Sequence, residues 1–427
     1  MNKIYKPNRT DWNEILKRPT QTIDAIEDIV NDIFKEVKKD GDAILRKYTQ
    51  QFDGVSLDDL LVSALEVEEA RTLVSDNLKT AIRLAKSNIE TFHKAQITDR
   101  VEIETTSGVL CWQEKRPIQK VGLYIPGGTA PLFSTILMLA IPANIAGCKE
   151  IVLCSPPDKE GKLNPAILYT AQLCGVSQIF KVGGIQAIAG MTFGTESIPQ
   201  VYKIFGPGNQ FVTVAKQIAT KYGVAIDMPA GPSELLVVAD DTADAAFVAS
   251  DLLSQAEHGT DSQVILVSTS EKMIDAVELE VEKQIKDLPR KKIARKAIEN
   301  SKLIYVEDDG TAIDLINVYG PEHYIICSKN EDFYIDNTFN AGSVFIGNYT
   351  PESAGDYASG TNHTLPTNGY AKQYSGVNLD SFMKSMTFQK ITEKGIEKIG
   401  NAIEVMAEAE GLQAHKNAIT LRLNSLK

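Results

Sequence analysis

The stretch SQAEHGTD, residues 254–261, follows a helical-looking run, AAFVASDLL, and sets Gln255 and His258 three residues apart beside acidic neighbours. Side chains at that spacing share a helix face and can reach one point in space. An amide oxygen and an imidazole arranged so can hold a divalent cation. The same residues also read as an ordinary helix end, since Gly259 suits the C′ position and a terminal histidine complements the helix dipole. Further donors elsewhere in the chain would decide between the two.

The chain has five histidines. His93 lies in a charged helical region with nothing distinctive around it, whereas the other four fall in QAEHGTD, GPEHY, GDYASGTNH and GLQAHKN. Each window alone reads as a turn or cap. Together they gather imidazoles and carboxylates at loops and helix ends, as a metal or acid–base centre requires. Gln255, His258, Asp356 and one more histidine form a nitrogen–oxygen donor set suited to Zn²⁺ or Mn²⁺. A zinc site without cysteine is of the catalytic or substrate-binding kind. GPEHY sets Glu322 beside His323 at the start of an apolar run, HYIICS. If a strand begins there, the pair points to opposite sides of the backbone and can serve two proton transfers. The plain alternative is a solvated turn.

Positioning such groups calls for rigid elements. Residues from about 20 to 96 carry apolar positions at three- and four-residue spacing and read as helices, with Gly41 breaking the first run. RVEIETTSGVLCWQEKRPI alternates as a hairpin does. Then KVGLYIPGG, EIVLCSPP, QIFKVGG, VYKIFGPGN and VAIDMPAGPSELLVVAD are short apolar runs closed by Gly or Pro, with helical stretches between them. Strand, glycine turn, helix, strand is the pattern of a parallel sheet whose ligands bind at the carboxyl ends of the strands. A second series follows in SQVILVST, SKLIYVED, EHYIICS and AGSVFIGN, interrupted by a polar segment from Tyr349 to Gly376 that reads as a functional or disordered loop. The fold class is α/β: two incomplete Rossmann-like parallel-sheet domains with small N- and C-terminal helical segments. The expected divisions are 1–20 as an N-terminal segment, 21–123 with 234–377 as a discontinuous α/β domain, 124–233 as a nucleotide-binding domain, and 378–427 as a helical tail. The spacing G-x-G-x-x-G is absent, and no repeat of fixed period is visible.

At 427 residues the chain is long for a single core. Its net charge of −12 argues against a nucleic-acid partner and against an anionic membrane surface. The apolar run PLFSTILMLAIPANIAGC is broken by polar residues and Pro142, so it reads as a buried helix. No leader peptide is expected, and five cysteines without a C-x-x-C pair suggest neither a disulfide framework nor a thiolate zinc site. A reduced, cytoplasmic setting follows.

SQAEHGTDSQ, GPEHY, ESAGDYASGTNHTLPT and EGLQAH, in this order, resemble the histidinol dehydrogenase family, as do VGLYIPGGTAPL, VGGIQAIAG, IFGPGN and DMPAGPSE. The resemblance runs from about residue 20 to the C-terminus. It implies oxidation of L-histidinol to L-histidine through histidinaldehyde, with two NAD⁺ and one Zn²⁺ per subunit. By motif, the zinc ligands would be Gln255, His258, Asp356 and His415, and the acid–base pair Glu322 and His323. The substrate would be held by Ser233, Gln255, His258, His323, Asp356, Glu410 and His415, and NAD⁺ by Tyr124, Gln186 and Asn209. The family also implies a homodimer in which Glu410 and His415 complete the site of the other chain, with Glu322 open to the same crossing and His363 nearby. Competing readings are a relative acting on another amino alcohol, a zinc hydrolase, a cysteine-nucleophile aldehyde dehydrogenase using Cys327, and a non-catalytic zinc scaffold.

Overall fold

The computed structural model describes residues 1–19, 24–127, 131–229 and 231–427. In chain order its strands are β1 (Asn2–Tyr5), β2 (Val101–Thr106), β3 (Val109–Pro117), β4 (Lys120–Tyr124), β5 (Glu150–Cys154), β6 (Gln178–Phe180) and β7 (Lys203–Phe205). They continue as β8 (Ala225–Ile226), β9 (Glu234–Ala239), β10 (Gln263–Ser268), β11 (Lys302–Tyr305), β12 (His323–Cys327), β13 (Ser343–Ile346) and β14 (Met383–Ile391). The chain divides into two units, Met1–Ala95 with Gln119–Phe382, and Gln96–Ile118 with Met383–Lys427.

The first unit holds two parallel sheets. One runs β6-β5-β4-β7-β8 and the other β1-β11-β10-β9-β12-β13. Leaving β1 aside, both follow one winding: out from a central strand on one side, back past it, and out on the other. That is the Rossmann order short of its last strand. Val121, Leu123, Val152 and Leu153, like Leu235 to Val238, are almost wholly buried. Continuous apolar strands of this kind need helices on both faces. The helix Ser134–Ala146 is buried nearly all round, and among the described residues no helix is long and apolar enough to cross a membrane. The charged N-terminal region is helical as expected, over Asp24–Asp53, Ala64–Leu73 and Asp76–Lys94, with a kink at Gly41, whose φ is 50°. All five cysteines are free.

The structure departs from the sequence reading in three places. The N-terminal segment supplies β1, an edge strand parallel to β11, because β11 still had unpaired backbone to offer. VAIDMPAGPSELLVVAD is not one element; it contributes the two-residue β8 and then β9, which belong to different sheets. The tail opens with β14, antiparallel to β3 across nine residue pairs, before the helices Glu393–Ala409 and Gln413–Asn424. In the second unit β14, β3 and β2 form one antiparallel sheet, and β2–β3 is the expected hairpin.

Candidate active site

A cleft of about 570 Å³ lies in the first unit. One wall is the carboxyl side of the five-stranded sheet: Pro126 after β4, and Pro207 to Phe211 after β7. The other is the amino side of the six-stranded sheet: Gly231 to Ser233 before β9, Asp261 and Ser262 before β10, and Glu322 and His323 at the head of β12. The carboxyl-end rule therefore describes only the first sheet. The second sheet opposes it with its amino ends.

His323 is the first residue of β12 and is 3% exposed. Its Nδ1 lies 2.9 Å from Gln255 Nε2, 3.3 Å from the Glu234 carbonyl and 3.7 Å from Glu322 Oε2. Its Nε2 makes no hydrogen bond among the described residues and lies 3.6 Å from Asp356 Oδ1. Burial opposes charge on this ring, but the carboxylates of Glu322, Glu352 and Asp356 outweigh it and hold its pKa well above the ordinary histidine value. The expectation that Glu322 and His323 point to opposite sides does not hold. Glu322 sits in the turn ahead of the strand, outside the pleat, so both side chains face the cleft of their own chain. Glu322 is aimed by a hydrogen bond that its Oε2 accepts from the Glu234 amide, 2.9 Å.

Glu234 is itself anchored. Its buried carboxylate pairs with Arg18 Nε, accepts from Arg18 Nη2 at 2.8 Å, and accepts from the Asn368 amide at 2.7 Å. Arg18 also donates to the Tyr319 carbonyl at 2.9 Å and stacks over the Tyr319 ring, 4.0 Å from its centroid. A bidentate guanidinium–carboxylate fork thus ties the N-terminal segment, the head of β9 and the 368 loop to the acid–base pair.

The helix Ala245–Ala256 ends beside the cleft, bringing Gln255 and His258 to one side of it. The short helix Glu352–Tyr357 faces it with Glu352 and Asp356. Donor atoms of His258, Glu352 and Asp356 lie within 4.8 Å of one another, and Gln255 Oε1 is buried without a partner among the described residues. Such a donor set fits Zn²⁺ or Mn²⁺. Burial pushes the Glu352 carboxyl up to about 8. Burial acts the same way on Asp356, but the neighbouring His323 ring holds it below the usual carboxylate range. His363 Nδ1 donates to the Asp356 carbonyl at 2.8 Å and its Nε2 meets Thr135 Oγ1 at 3.2 Å; burial lowers its pKa. That ring braces the turn carrying Asp356.

On the other wall, Asn209 caps the helix Gln210–Lys221 through the Val212 amide and lines the cleft. Tyr124, at the end of β4, accepts a hydrogen bond from the Gly184 amide at 3.1 Å. Burial pushes its hydroxyl up to about 12. Gln186, in the first turn after β6, is 1% exposed, and both its amide atoms lack partners among the described residues. Unsatisfied buried amide groups beside a glycine turn fit a polar ligand such as a dinucleotide. Gly206, at φ 128°, has to be glycine because a Cβ there would strike the Tyr124 carbonyl oxygen.

Ser233 lines the cleft, while Glu410 and His415 lie in the second unit and are exposed. His93 is a buried core histidine, its Nδ1 donating to the Ile89 carbonyl at 2.8 Å. Cys327 is buried in β12 outside the lining of the cleft, and burial raises its thiol to about 12, which disfavours the thiolate a nucleophile needs. The sequence reading missed Glu352, Arg18 and Glu234. For Glu352 the signal was present, since ESAGD spaces its two acids i, i+4; the Arg18–Glu234 pair spans 216 positions and left no local trace.

A cleft between two doubly wound sheets, with an imidazole–carboxylate pair beside a nitrogen–oxygen donor set, defines the class: an α/β enzyme. Residues 16–423 match the histidinol dehydrogenase family. The chain is 58% identical over 427 residues to the histidinol dehydrogenase of Bacteroides thetaiotaomicron, with 100% of each chain covered. To that of Escherichia coli K12 it is 53% identical over 428 positions, with 98% of each covered. The crystal structure of histidinol dehydrogenase from Elizabethkingia anophelis matches with a TM-score of 0.98 at 56% identity, covering 100% of this chain and 98% of that one. The chain belongs to the histidinol dehydrogenase family, oxidoreductases of histidine biosynthesis.

Proposed function

We propose that this chain oxidises L-histidinol to L-histidine by way of L-histidinaldehyde, with two NAD⁺ and one Zn²⁺ per subunit, in the cytoplasm. The observation that carries the reading is the Glu322–His323 pair, 3.7 Å apart, in one cleft with the Gln255, His258 and Asp356 donors. Bound Zn²⁺ would orient the substrate through its amine and imidazole, and NAD⁺ would accept hydride. His323 takes the alcohol proton at Nε2 as hydride departs from the carbinol carbon, giving the aldehyde. As water adds to the aldehyde, Glu322 takes a proton from it and the protonated His323 returns its own to the carbonyl oxygen, giving the hydrate and a neutral His323. His323 then takes a hydroxyl proton of the hydrate as the second hydride departs to the second NAD⁺. The carboxylic acid so formed ionises to the carboxylate, and the protons on Glu322 and His323 pass to solvent. Ser233 and the cleft walls keep the aldehyde from bulk water between the two oxidations. Tyr124, Gln186 and Asn209 are the residues toward the dinucleotide. The active form is a homodimer in which Glu410 and His415 of the partner subunit close the site.

The test is to count NADH at 340 nm per L-histidinol consumed. Two per substrate, lost on chelation and restored by Zn²⁺, is the expected result. One would mean an alcohol dehydrogenase that releases its aldehyde, and none would remove the reading. Asp356→Asn is expected to lower zinc content and activity together, by about tenfold or more. Metal analysis of the purified variant checks this, and full zinc retention would count against Asp356 as a ligand.

A further inference from the structure

Lys216 and Asp227 form an ion pair whose side chains are only 4% and 1% exposed. Lys216 stands on the helix Gln210–Lys221, and Asp227 directly follows β8, where its amide donates to the Ile204 carbonyl of β7 at 3.0 Å. An ion pair this far from water gains little over an apolar pair of the same size, because both charges lose their hydration. What distinguishes this one is the backbone that its other protons and lone pairs hold.

That backbone is Gly206, directly after β7. Lys216 Nζ donates to the Gly206 carbonyl at 2.8 Å, and Asp227 Oδ2 accepts from the Gly206 amide at 2.8 Å. Asp227 Oδ1 accepts from the Met228 amide at 2.7 Å. Both polar groups of one glycine are therefore gripped by the two halves of one pair. On its other side Gly206 lies directly against the Tyr124 carbonyl at the end of β4. Residues 207–211, which follow, line the cleft, and Asn209 caps the helix that carries Lys216. A turn reading Gly-Pro-Gly-Asn has little side chain of its own to fix its course, and glycine is free to take many.

We propose that Lys216 and Asp227 are positioning residues for the dinucleotide: they set the course of the turn 206–209, and through it the face that Tyr124 and Asn209 present to NAD⁺. This rests on the reading of Tyr124, Gln186 and Asn209 as the residues toward the cofactor. Neither side chain of the pair is among those lining the cleft, so it acts through the backbone it grips. The acid–base residues Glu322 and His323 belong to the opposite wall. The pair therefore governs cofactor affinity and leaves the proton transfers alone.

The experiment measures NAD⁺ binding by titration calorimetry, and kcat and KM for NAD⁺ and L-histidinol, in the native protein, Lys216→Met and Lys216→Met/Asp227→Asn. Urea titration gives the stability of each. Lys216→Met is expected to weaken NAD⁺ binding and raise its KM by about tenfold or more. The KM for L-histidinol should stay within about twofold, and kcat at saturating NAD⁺ within about threefold. Lys216→Met also strands the buried Asp227 carboxylate, so stability falls. The double variant removes that stranded charge and is expected to recover part of the stability but none of the NAD⁺ affinity, since the Gly206 carbonyl still lacks its donor. It carries the test if Lys216→Met does not fold. Affinity that returns together with stability would mark a purely structural pair and overturn the proposal. Native NAD⁺ affinity in either folded variant, or equal losses in kcat and both KM values, would overturn it too. A native protein that binds no NAD⁺ and forms no NADH would overturn the cofactor reading and this proposal with it.

Discussion

Glu322→Gln is expected to slow oxidation of histidinaldehyde by about 10²–10⁴-fold, while histidinol oxidation to the aldehyde falls less than about tenfold. The change is nearly isosteric. A glutamine carbonyl can still accept the 2.9 Å hydrogen bond from the Glu234 amide, so the turn ahead of β12 keeps its shape. What disappears is the group that, in the proposed mechanism, accepts a proton from the attacking water. The alcohol step, assigned to His323 in the proposed mechanism, should change mainly in its pH profile. The Glu322 carboxylate, 3.7 Å from Nδ1, helps hold the His323 pKa above its ordinary value. Removing that negative charge lowers the pKa, so the neutral base is populated at lower pH and the acid limb of the alcohol step moves to lower pH. Single-turnover rates with each substrate across pH would show this. Equal losses in both half-reactions would overturn the division of labour between the two residues.

The second large effect is on stability. Arg18→Met is expected to lower the unfolding free energy by about 3–5 kcal/mol, because it leaves the buried Glu234 carboxylate without its cation. The side chains are 14% and 2% exposed, so solvent screens this pair little. The cost lies in the orphaned charge rather than in the lost contact. The double variant Arg18→Met/Glu234→Gln should therefore lose clearly less than Arg18→Met alone. Urea titration at neutral pH measures both. A loss under about 1 kcal/mol for Arg18→Met would mean that Glu234 finds another partner or takes up a proton. The Glu234 amide also aims Glu322, so Arg18→Met should reduce turnover in whatever fraction stays folded.

Local pattern carried most of the elements. Gly41 broke its helix where a lone glycine in a helical run suggested, and a Gly or Pro closely follows each strand of the five-stranded sheet, as the sequence runs suggested. Both strands of the β2–β3 hairpin were legible from alternation. β1 and β14 were not, since each is a strand by virtue of a distant partner, β11 or β3, and MKSMTFQKI has no clean apolar alternation of its own. The shared winding of the two sheets is a repeat of topology without a repeat of sequence, so no fixed period betrayed it. Glu352 was legible in principle: its i, i+4 relation to Asp356 mirrors the spacing that singled out Gln255 and His258.

The sequence by itself determined the chemistry on offer. Gln255 with His258, Glu322 with His323, and Asp356 are short-range patterns, and three- or four-residue spacing on a helix fixes a shared face whatever the rest of the chain does. The tertiary structure alone decided that these pieces meet. The amino ends of one sheet had to oppose the carboxyl ends of the other, and Arg18 had to reach Glu234 across 216 positions. It also decided that Glu322 turns into the same cleft as His323. Contacts of this kind arise from packing two sheets around buried apolar strands, and no local spacing encodes which ends will face each other.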